Sequence, residues 1–254
     1  MPHLFQCWPH VAKRLNASRR IALFLDFDGT LAPLQPRPED VWLDDSTRGI
    51  LTRLARCPRF RVWVITGRRR EDVRERTSVP GVRYLGLHGW EGRVHSGIPE
   101  EQRDAMACAK SWLNCLMLRV PGIWIEDKGL TLAIHYQSVA DDNVRNLRKV
   151  VRGVIAPFGD CLQLIRGKKV WEIAPRELGD KGLAVVAELA ERARDAVPVY
   201  IGDDLMDESA FAALDGGVTV HVGAPCRTRA QYRLSSVAQV HQFLDRLDSH
   251  YAVS

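Results

Sequence analysis

Near the start of the chain, Asp26-Phe27-Asp28-Gly29-Thr30 sets two carboxylates two positions apart beside a glycine, directly after the apolar run Ile21–Leu25. Two acids at that spacing on extended backbone point the same way, and Gly29 lets the chain turn sharply. By itself such a string is a turn with acidic caps. A second cluster, Gly202-Asp203-Asp204-Leu205-Met206-Asp207-Glu208, follows the run Val199–Ile201. Four acids in six residues repel one another unless a cation neutralises them. Oxygen donors without His or Cys suit Mg²⁺ rather than zinc. A capped helix starting at Asp207, with Phe211 and Leu214 on one face, explains Asp207 but not the whole cluster.

Two further segments have the composition of an anion seat. Ile65-Thr66-Gly67-Arg68 joins a strand end to a helix start through a hydroxyl and a glycine, and free backbone N–H groups point outward at such a junction. In Gly179-Asp180-Lys181-Gly182 a lysine opens a helix, where the dipole disfavours a cation, so a nearby anion would account for it. Singly, the first is a common strand-to-helix turn and the second a solvated lysine.

The positioning elements are legible as patterns. Ile21–Leu25, Val62–Thr66, Arg83–Leu87, Val199–Ile201 and Val218–Val222 read as strands buried on both faces. Ile50, Leu51 and Leu54 after the cap Asp45-Ser46-Thr47, and Leu183, Val186, Leu189 and Ala190 after Asp180, repeat at helical spacing. Strands alternating with helices predict a parallel sheet, with ligand sites beyond the strands' carboxyl ends. The middle differs. Ile123–Glu126 with Leu130–Tyr136, and Leu162–Arg166 with Lys169–Ile173, read as hairpins. Val144, Leu147, Val151 and Val154 predict a helix capped at Ser138, and another is expected over 100–118. The expected organisation is a catalytic core of residues 1–95 and 176–254 with a small α+β unit, 96–175, inserted at seams in Gly92–Gly97 and Ala174–Gly179.

Composition removes several function classes. The chain has 254 residues, 46% hydrophobic and 26% charged, which excludes collagenous and disordered readings. Its apolar stretches run five or six residues, too short to span a membrane, and MPHLFQCWPHVAKRL lacks a secretory pattern. The cysteines at 7, 57, 108, 115, 161 and 226 form no CxxC pair, so free thiols and a cytoplasmic location are expected. Net charge is +5, concentrated in Arg53–Arg83, which holds ten Arg against three acids. A solvated helix face, nucleic-acid binding and steering of a small dianion all fit such a run. Single-strand binding needs interleaved aromatics, and only Phe60 and Trp63 precede Tyr84 here, so no nucleic-acid partner is expected.

In identity, order and strand context the four segments resemble the haloacid dehalogenase superfamily of phosphatases. Leu25-Asp26-Phe27-Asp28-Gly29-Thr30-Leu31-Ala32-Pro33, Thr66-Gly67-Arg68, His88-Gly89-Trp90-Glu91, and Gly202-Asp203-Asp204 with Asp207-Glu208-Ser209-Ala210-Phe211 narrow the likeness to trehalose-6-phosphate phosphatases. Glu126-Asp127-Lys128, His135-Tyr136 and Lys169 to Glu172 with Pro175 resemble that family's sugar-binding cap. The similarity covers about Ile21 to Gly223. It implies an α/β fold, a Rossmann-like parallel-sheet core with an inserted α+β cap. It also implies Mg²⁺-dependent hydrolysis of trehalose 6-phosphate through an aspartyl-phosphate. Asp26 is then the nucleophile and Asp28 the proton donor and later base, while Thr66 and Lys181 hold the transferring phosphoryl group. Mg²⁺ falls to Asp26, the Asp28 carbonyl and Asp203, with Asp204 and Asp207 behind them. Thr66, Gly67 and Arg68 seat the phosphate, and His88, Glu91, Glu126, Lys128, His135, Lys169 and Glu172 meet the substrate. The implied partner is a sugar phosphate, with a functional link to trehalose-6-phosphate synthase and no membrane.

Three positions depart from the family pattern. Thr66 replaces the usual serine and keeps the hydroxyl, while Gln137 and Ala174 stand where arginines are common. The lost arginines touch sugar contacts rather than chemistry. Another sugar-phosphate phosphatase of the superfamily, for sucrose phosphate or a mannosyl-glycerate phosphate, and a catalytically silent subunit of a trehalose synthase complex are the other readings. The paired Asp26 and Asp28 argue against silence. The cap charges also suit simple cross-strand pairs. Trp8, Trp63, Trp112, Trp124 and Trp171 read as packing residues rather than sugar platforms.

Overall fold

The computed structural model describes residues 1–92, 97–117, 120–167, 169–214 and 216–251. The seam expected within Gly92–Gly97 therefore falls largely outside the described residues. By internal contacts the chain divides into one unit of Met1–Arg93 with Asp180–Ser254 and a second of Val94–Gly179.

The first unit is built on six strands: β1 (Arg20–Leu25), β2 (Phe60–Ile65), β3 (Arg83–Leu85), β8 (Ala196–Gly202), β9 (Val218–Val222) and β10 (Tyr232–Leu234). All pair in parallel, in the order β10-β9-β8-β1-β2-β3. Alternation along each strand divides the core in two. Ile21, Leu23, Leu25, Val62, Val64, Val199 and Ile201 pack with residues of helices α1 (Trp8–Asn16), α2 (Asp45–Arg56) and α8 (Val237–Tyr251). Ala22, Phe24, Trp63, Ile65 and Tyr200 pack with those of α6 (Lys181–Arg192) and α7 (Glu208–Ala213). Covering both faces requires the continuous apolar runs seen in the sequence. The sheet order has a consequence for chemistry. From β1 the chain moves outward to β2 and β3, then returns to β1's other side with β8 and moves outward to β9 and β10. The reversal between β1 and β8 is a switch point, where a crevice opens at the carboxyl ends.

The second unit has strands β4 (Trp124–Asp127), β5 (Leu132–His135), β6 (Leu162–Gly167) and β7 (Val170–Pro175), antiparallel in the order β4-β5-β7-β6. Helices α4 (Glu100–Met117) and α5 (Asp141–Ile155) share a core with Leu132, Ile134, Leu162, Trp171 and Ile173. Alternation sends Glu126, Ala133, His135 and Glu172 to the opposite face.

Several local readings need correction. The cap of α2 is Asp44, whose carboxylate accepts the Thr47 N–H at 2.9 Å. The α5 N-cap is Ala140, not Ser138, and its side chain makes no capping bond. Helix α3 (Arg70–Thr77), with α1, α8 and β10, went unread. Only Val73 and Thr77 of α3 are buried, so this highly charged segment has almost no apolar stripe. Trp63 and Trp171 do pack inside, but Trp112 and Trp124 are 44% and 46% exposed.

Candidate active site

Asp26 stands one residue beyond β1 and Asp203 one residue beyond β8, so the sheet's switch point brings them together. Asp26 donates its backbone N–H to the Ile201 carbonyl at 2.9 Å, tying the two strand ends. One carboxylate oxygen from each of Asp26, Asp203 and Asp207 lies within 4.8 Å of the others. Lys181, at the first turn of α6, extends into this group and donates to both Asp26 Oδ1 and Asp207 Oδ1 at 2.7 Å. Asp26, Lys181 and Asp207 are all buried. The lysine's awkward place at a helix start is thus accounted for by carboxylates of its own chain.

The electrostatics are lopsided. Burial lifts the Asp26 carboxyl well above its ordinary value; the Lys181 ammonium opposes this, while Asp207 and Asp203 add to it. Burial disfavours the Lys181 charge, yet Asp207 and Asp26 outweigh it and hold the ammonium well above its usual range. The Lys181 ammonium lies between the two buried carboxylates Asp26 and Asp207, and Asp203 adds its negative charge to the same group. That donor set, all oxygen and clustered, fits a hard divalent cation.

Two glycines make the convergence sterically feasible. Gly29 has φ +80°, and a Cβ there would stand 2.3 Å from Asp203 Oδ2. A Cβ on Gly202 would stand 2.2 Å from Asp207 Cγ. Asp207 is held from several sides: Tyr200 Oη donates to its Oδ1 at 2.7 Å and the Asp204 N–H to its Oδ2 at 2.9 Å. Asp204 and Asp207 form a reciprocal capping box on the turn Leu205–Asp207, so the helix-cap reading holds for these two. Tyr200 was not singled out from sequence. Its signal was a phenol in an otherwise apolar strand, on the face opposite Val199 and Ile201.

Asp28 does not share the Lys181 contact. Arg68 grips it through two hydrogen bonds, Nε to Oδ2 at 2.8 Å and Nη2 to Oδ1 at 2.7 Å. Arg68 also donates to Asp72 Oδ2 at 2.9 Å and to the Pro38 carbonyl at 2.7 Å. Burial alone would lower its pKa, but Asp28 and Asp72 outweigh that and hold it above the ordinary value. Thr66 is buried, with its Oγ accepting the Arg68 N–H at 3.2 Å. His88 is buried against Gly67, where a Cβ would meet the ring at 2.8 Å. Its backbone is left-handed, φ 59°, and its N–H donates to the Thr66 carbonyl at 2.9 Å. Glu91 accepts the Arg70 N–H at the start of α3. An open cleft of about 750 Å³ lies elsewhere in this unit, beside Arg70, Arg74, Arg83 and Tyr84. It holds none of the clustered acids, and the buried charge locates the chemistry better than cavity size does.

In the second unit Glu126, Lys128, His135 and Glu172 gather on the sheet face away from α4 and α5. His135 Nε2 lies 3.0 Å from Glu126 Oε2, and Lys128 Nζ lies 3.4 Å from Glu172 Oε1. Thr131 also donates its hydroxyl to Glu172 Oε1, a partner the sequence did not indicate. Glu172 and Thr131 are buried. Burial pushes the Glu126 carboxyl up, but the His135 hydrogen bond and the Lys128 charge prevail and hold it below its ordinary value. Lys169 sits in the β6–β7 turn at φ 59°, with its carbonyl accepting the Tyr136 N–H at 3.1 Å.

The parallel sheet, with a second α+β unit between its third and fourth strands in chain order, has the same fold as a solved haloacid dehalogenase-like hydrolase of Bacteroides thetaiotaomicron, with a TM-score of 0.64 at 14% identity. More narrowly, residues 24–237 match the trehalose-phosphatase family, and the chain belongs to it. It is 35% identical over 250 residues to the trehalose-phosphate phosphatase of Mycobacterium avium, covering 91% of this chain and 63% of that one. A Mycobacterium tuberculosis protein named as an uncharacterized glycosyl hydrolase is 38% identical over 255 residues, covering 92% of this chain and 19% of that protein. The chain thus spans only part of the length of both relatives. The C-terminal domain of Candida albicans trehalose-6-phosphate phosphatase superposes with a TM-score of 0.82 at 22% identity, covering 98% of each chain. Among the described residues no helix is long and apolar enough to cross a membrane.

Proposed function

We propose that the chain is a Mg²⁺-dependent phosphatase that hydrolyses trehalose 6-phosphate to trehalose and phosphate. The observation that carries this reading is the buried Asp26–Lys181–Asp207 contact with Asp203 alongside it, at the carboxyl end of the parallel sheet. Asp26, the Asp28 carbonyl and Asp203 would hold the metal, with Asp207 and Asp204 orienting them. Bound there, Mg²⁺ would offset the charge of the phosphate dianion and of the carboxylates.

Asp26 attacks phosphorus, forming an aspartyl-phosphate as the sugar oxygen leaves. Asp28 gives that oxygen its proton, then takes one from the water that hydrolyses the intermediate. Lys181 and Thr66 hold the phosphoryl oxygens, and the backbone at Gly67 and Arg68 completes the seat. Glu126, Lys128, His135, Lys169 and Glu172 recognise the sugar hydroxyls, while His88 and Glu91 shape the loop beside the phosphate. Family membership supports trehalose 6-phosphate over other sugar phosphates.

A phosphate-release assay over a sugar-phosphate panel tests this. Trehalose 6-phosphate should be the preferred substrate, and excess EDTA should stop turnover. Asp26→Asn should abolish phosphate release with an unchanged circular dichroism spectrum. Retained turnover in that variant would sink the nucleophile assignment.

A further inference from the structure

On the polar face of the four-stranded sheet one large aromatic side chain stands partly in solvent. Trp124, the first residue of β4, is 46% exposed. Strand alternation places it on the side of Glu126 and Lys128, while Ile125 turns toward the core with α4 and α5. The core therefore gives no reason for a tryptophan at this edge position. Its indole instead lies against the imidazole of His135, its register partner, with ring centroids 4.5 Å apart and planes 24° from parallel. His135 is in turn fixed by its 3.0 Å contact with Glu126, whose side chain is 33% exposed. Stacking and hydrogen bond together hold the indole in one orientation. A carboxylate lies two residues along the same strand, roughly 7 Å away.

These features select a ligand chemistry. The π face of an indole is electronegative, so it repels a phosphate and attracts polarised C–H bonds. Glu126, held in its ionised form, accepts hydrogen bonds and offers none. An anionic group is therefore disfavoured on both counts. A pyranose ring suits both. Its face presents axial C–H bonds, its rim presents hydroxyl donors, and hydrogen bonds to an ionised carboxylate are the stronger kind. Covering an exposed indole also removes apolar surface from water.

We propose that Trp124 is a stacking platform for an uncharged hexopyranose, the non-phosphorylated ring of the sugar-phosphate substrate. Glu126 takes hydroxyl hydrogens at the rim, and His135 holds both groups in place. The identity of the sugar rests on the phosphatase reading; the platform can be tested without turnover.

Trehalose itself, which carries no phosphate, is titrated calorimetrically into the wild-type chain, Trp124→Ala and Trp124→Phe. The affinity should fall about threefold to tenfold in the alanine variant and stay within about twofold in the phenylalanine variant, which keeps an aromatic face. In kinetics on trehalose 6-phosphate the alanine variant should raise KM more than it lowers kcat, as expected for lost ground-state contact. Equal affinity in all three proteins, or no trehalose binding to the wild type, overturns the proposal. A wild-type chain that binds trehalose with this aromatic dependence but releases no phosphate from trehalose 6-phosphate would refute the phosphatase reading and leave the platform standing.

Discussion

Two regions of the molecule concentrate acidic side chains, and they handle them in opposite ways. On the second unit's sheet each acid has a basic neighbour: Glu126 faces His135, and Glu172 faces Lys128. Glu126, His135 and Glu172 share one face of the antiparallel sheet, where diagonal neighbours reach one another, so these charges are matched locally. At the end of the parallel sheet, Asp26 from one stretch of chain meets Asp203 and Asp207 from another, and the Lys181 ammonium lies between Asp26 and Asp207. A parallel sheet collects strand ends on one side, and here it collects like charge. The matched set can bind a neutral polar ligand without further neutralisation. The clustered set is an all-oxygen donor group that suits a hard cation.

Removing the one ammonium should break the comparison most severely. In Lys181→Met, Asp26 and Asp207 would stay buried without their shared partner. Breaking a buried ion pair on one side costs about 3–5 kcal/mol, so the urea midpoint should fall steeply. Added Mg²⁺ should recover part of that loss. An unchanged midpoint would mean that the carboxylates carry little charge in the folded chain.

Gly29→Ala sharpens the claim that the acid site depends on close approach. The new Cβ would collide with Asp203, and the residue would keep a left-handed φ of +80°. Backbone strain alone costs roughly 1–2 kcal/mol, to be read from the melting temperature. The displaced Asp203 should also raise the Mg²⁺ concentration needed for half-maximal phosphate release. A normal metal requirement would show that Asp203 tolerates the shift.

The smallest expected effect concerns the matched set. Glu126 has a folded pKa below its unfolded one, so it contributes stability above the unfolded value and loses it as pH falls through the folded value. Wild-type stability should therefore decline in the acidic range more than that of Glu126→Gln, with the two curves separating most at neutral pH. Partial exposure of this carboxylate keeps the difference modest. Parallel denaturation curves from pH 3 to 7 would contradict the pairing.

Much of this was legible in the sequence because it is written in short windows. The run Ile21–Leu25 followed by Asp26 and Asp28, the glycine at 29 and the acid cluster after Val199–Ile201 each reflect local chemistry. Five of the six core strands follow from short apolar runs, the hairpin pairs from alternation beside glycine turns, and the helices α2, α5 and α6 from apolar residues at helical spacing. Elements without a clean apolar stripe, such as α3, were not legible. Nor was Trp124: its neighbours mark a strand, but whether a strand residue faces the core or solvent depends on which helices cover the sheet.

The sequence by itself thus determined the ingredients: which residues are acids, where strands end, and where only glycine is tolerated. Tertiary structure alone decided who meets whom. That Lys181 reaches Asp26 as well as Asp207 depends on β8 lying beside β1 in the sheet, and that Arg68 grips Asp28 depends on β2 lying on β1's other side. Strand order is set by burial of both faces over the whole unit. That balance of packing against chain entropy is summed over long sequence separations, and no local window contains it.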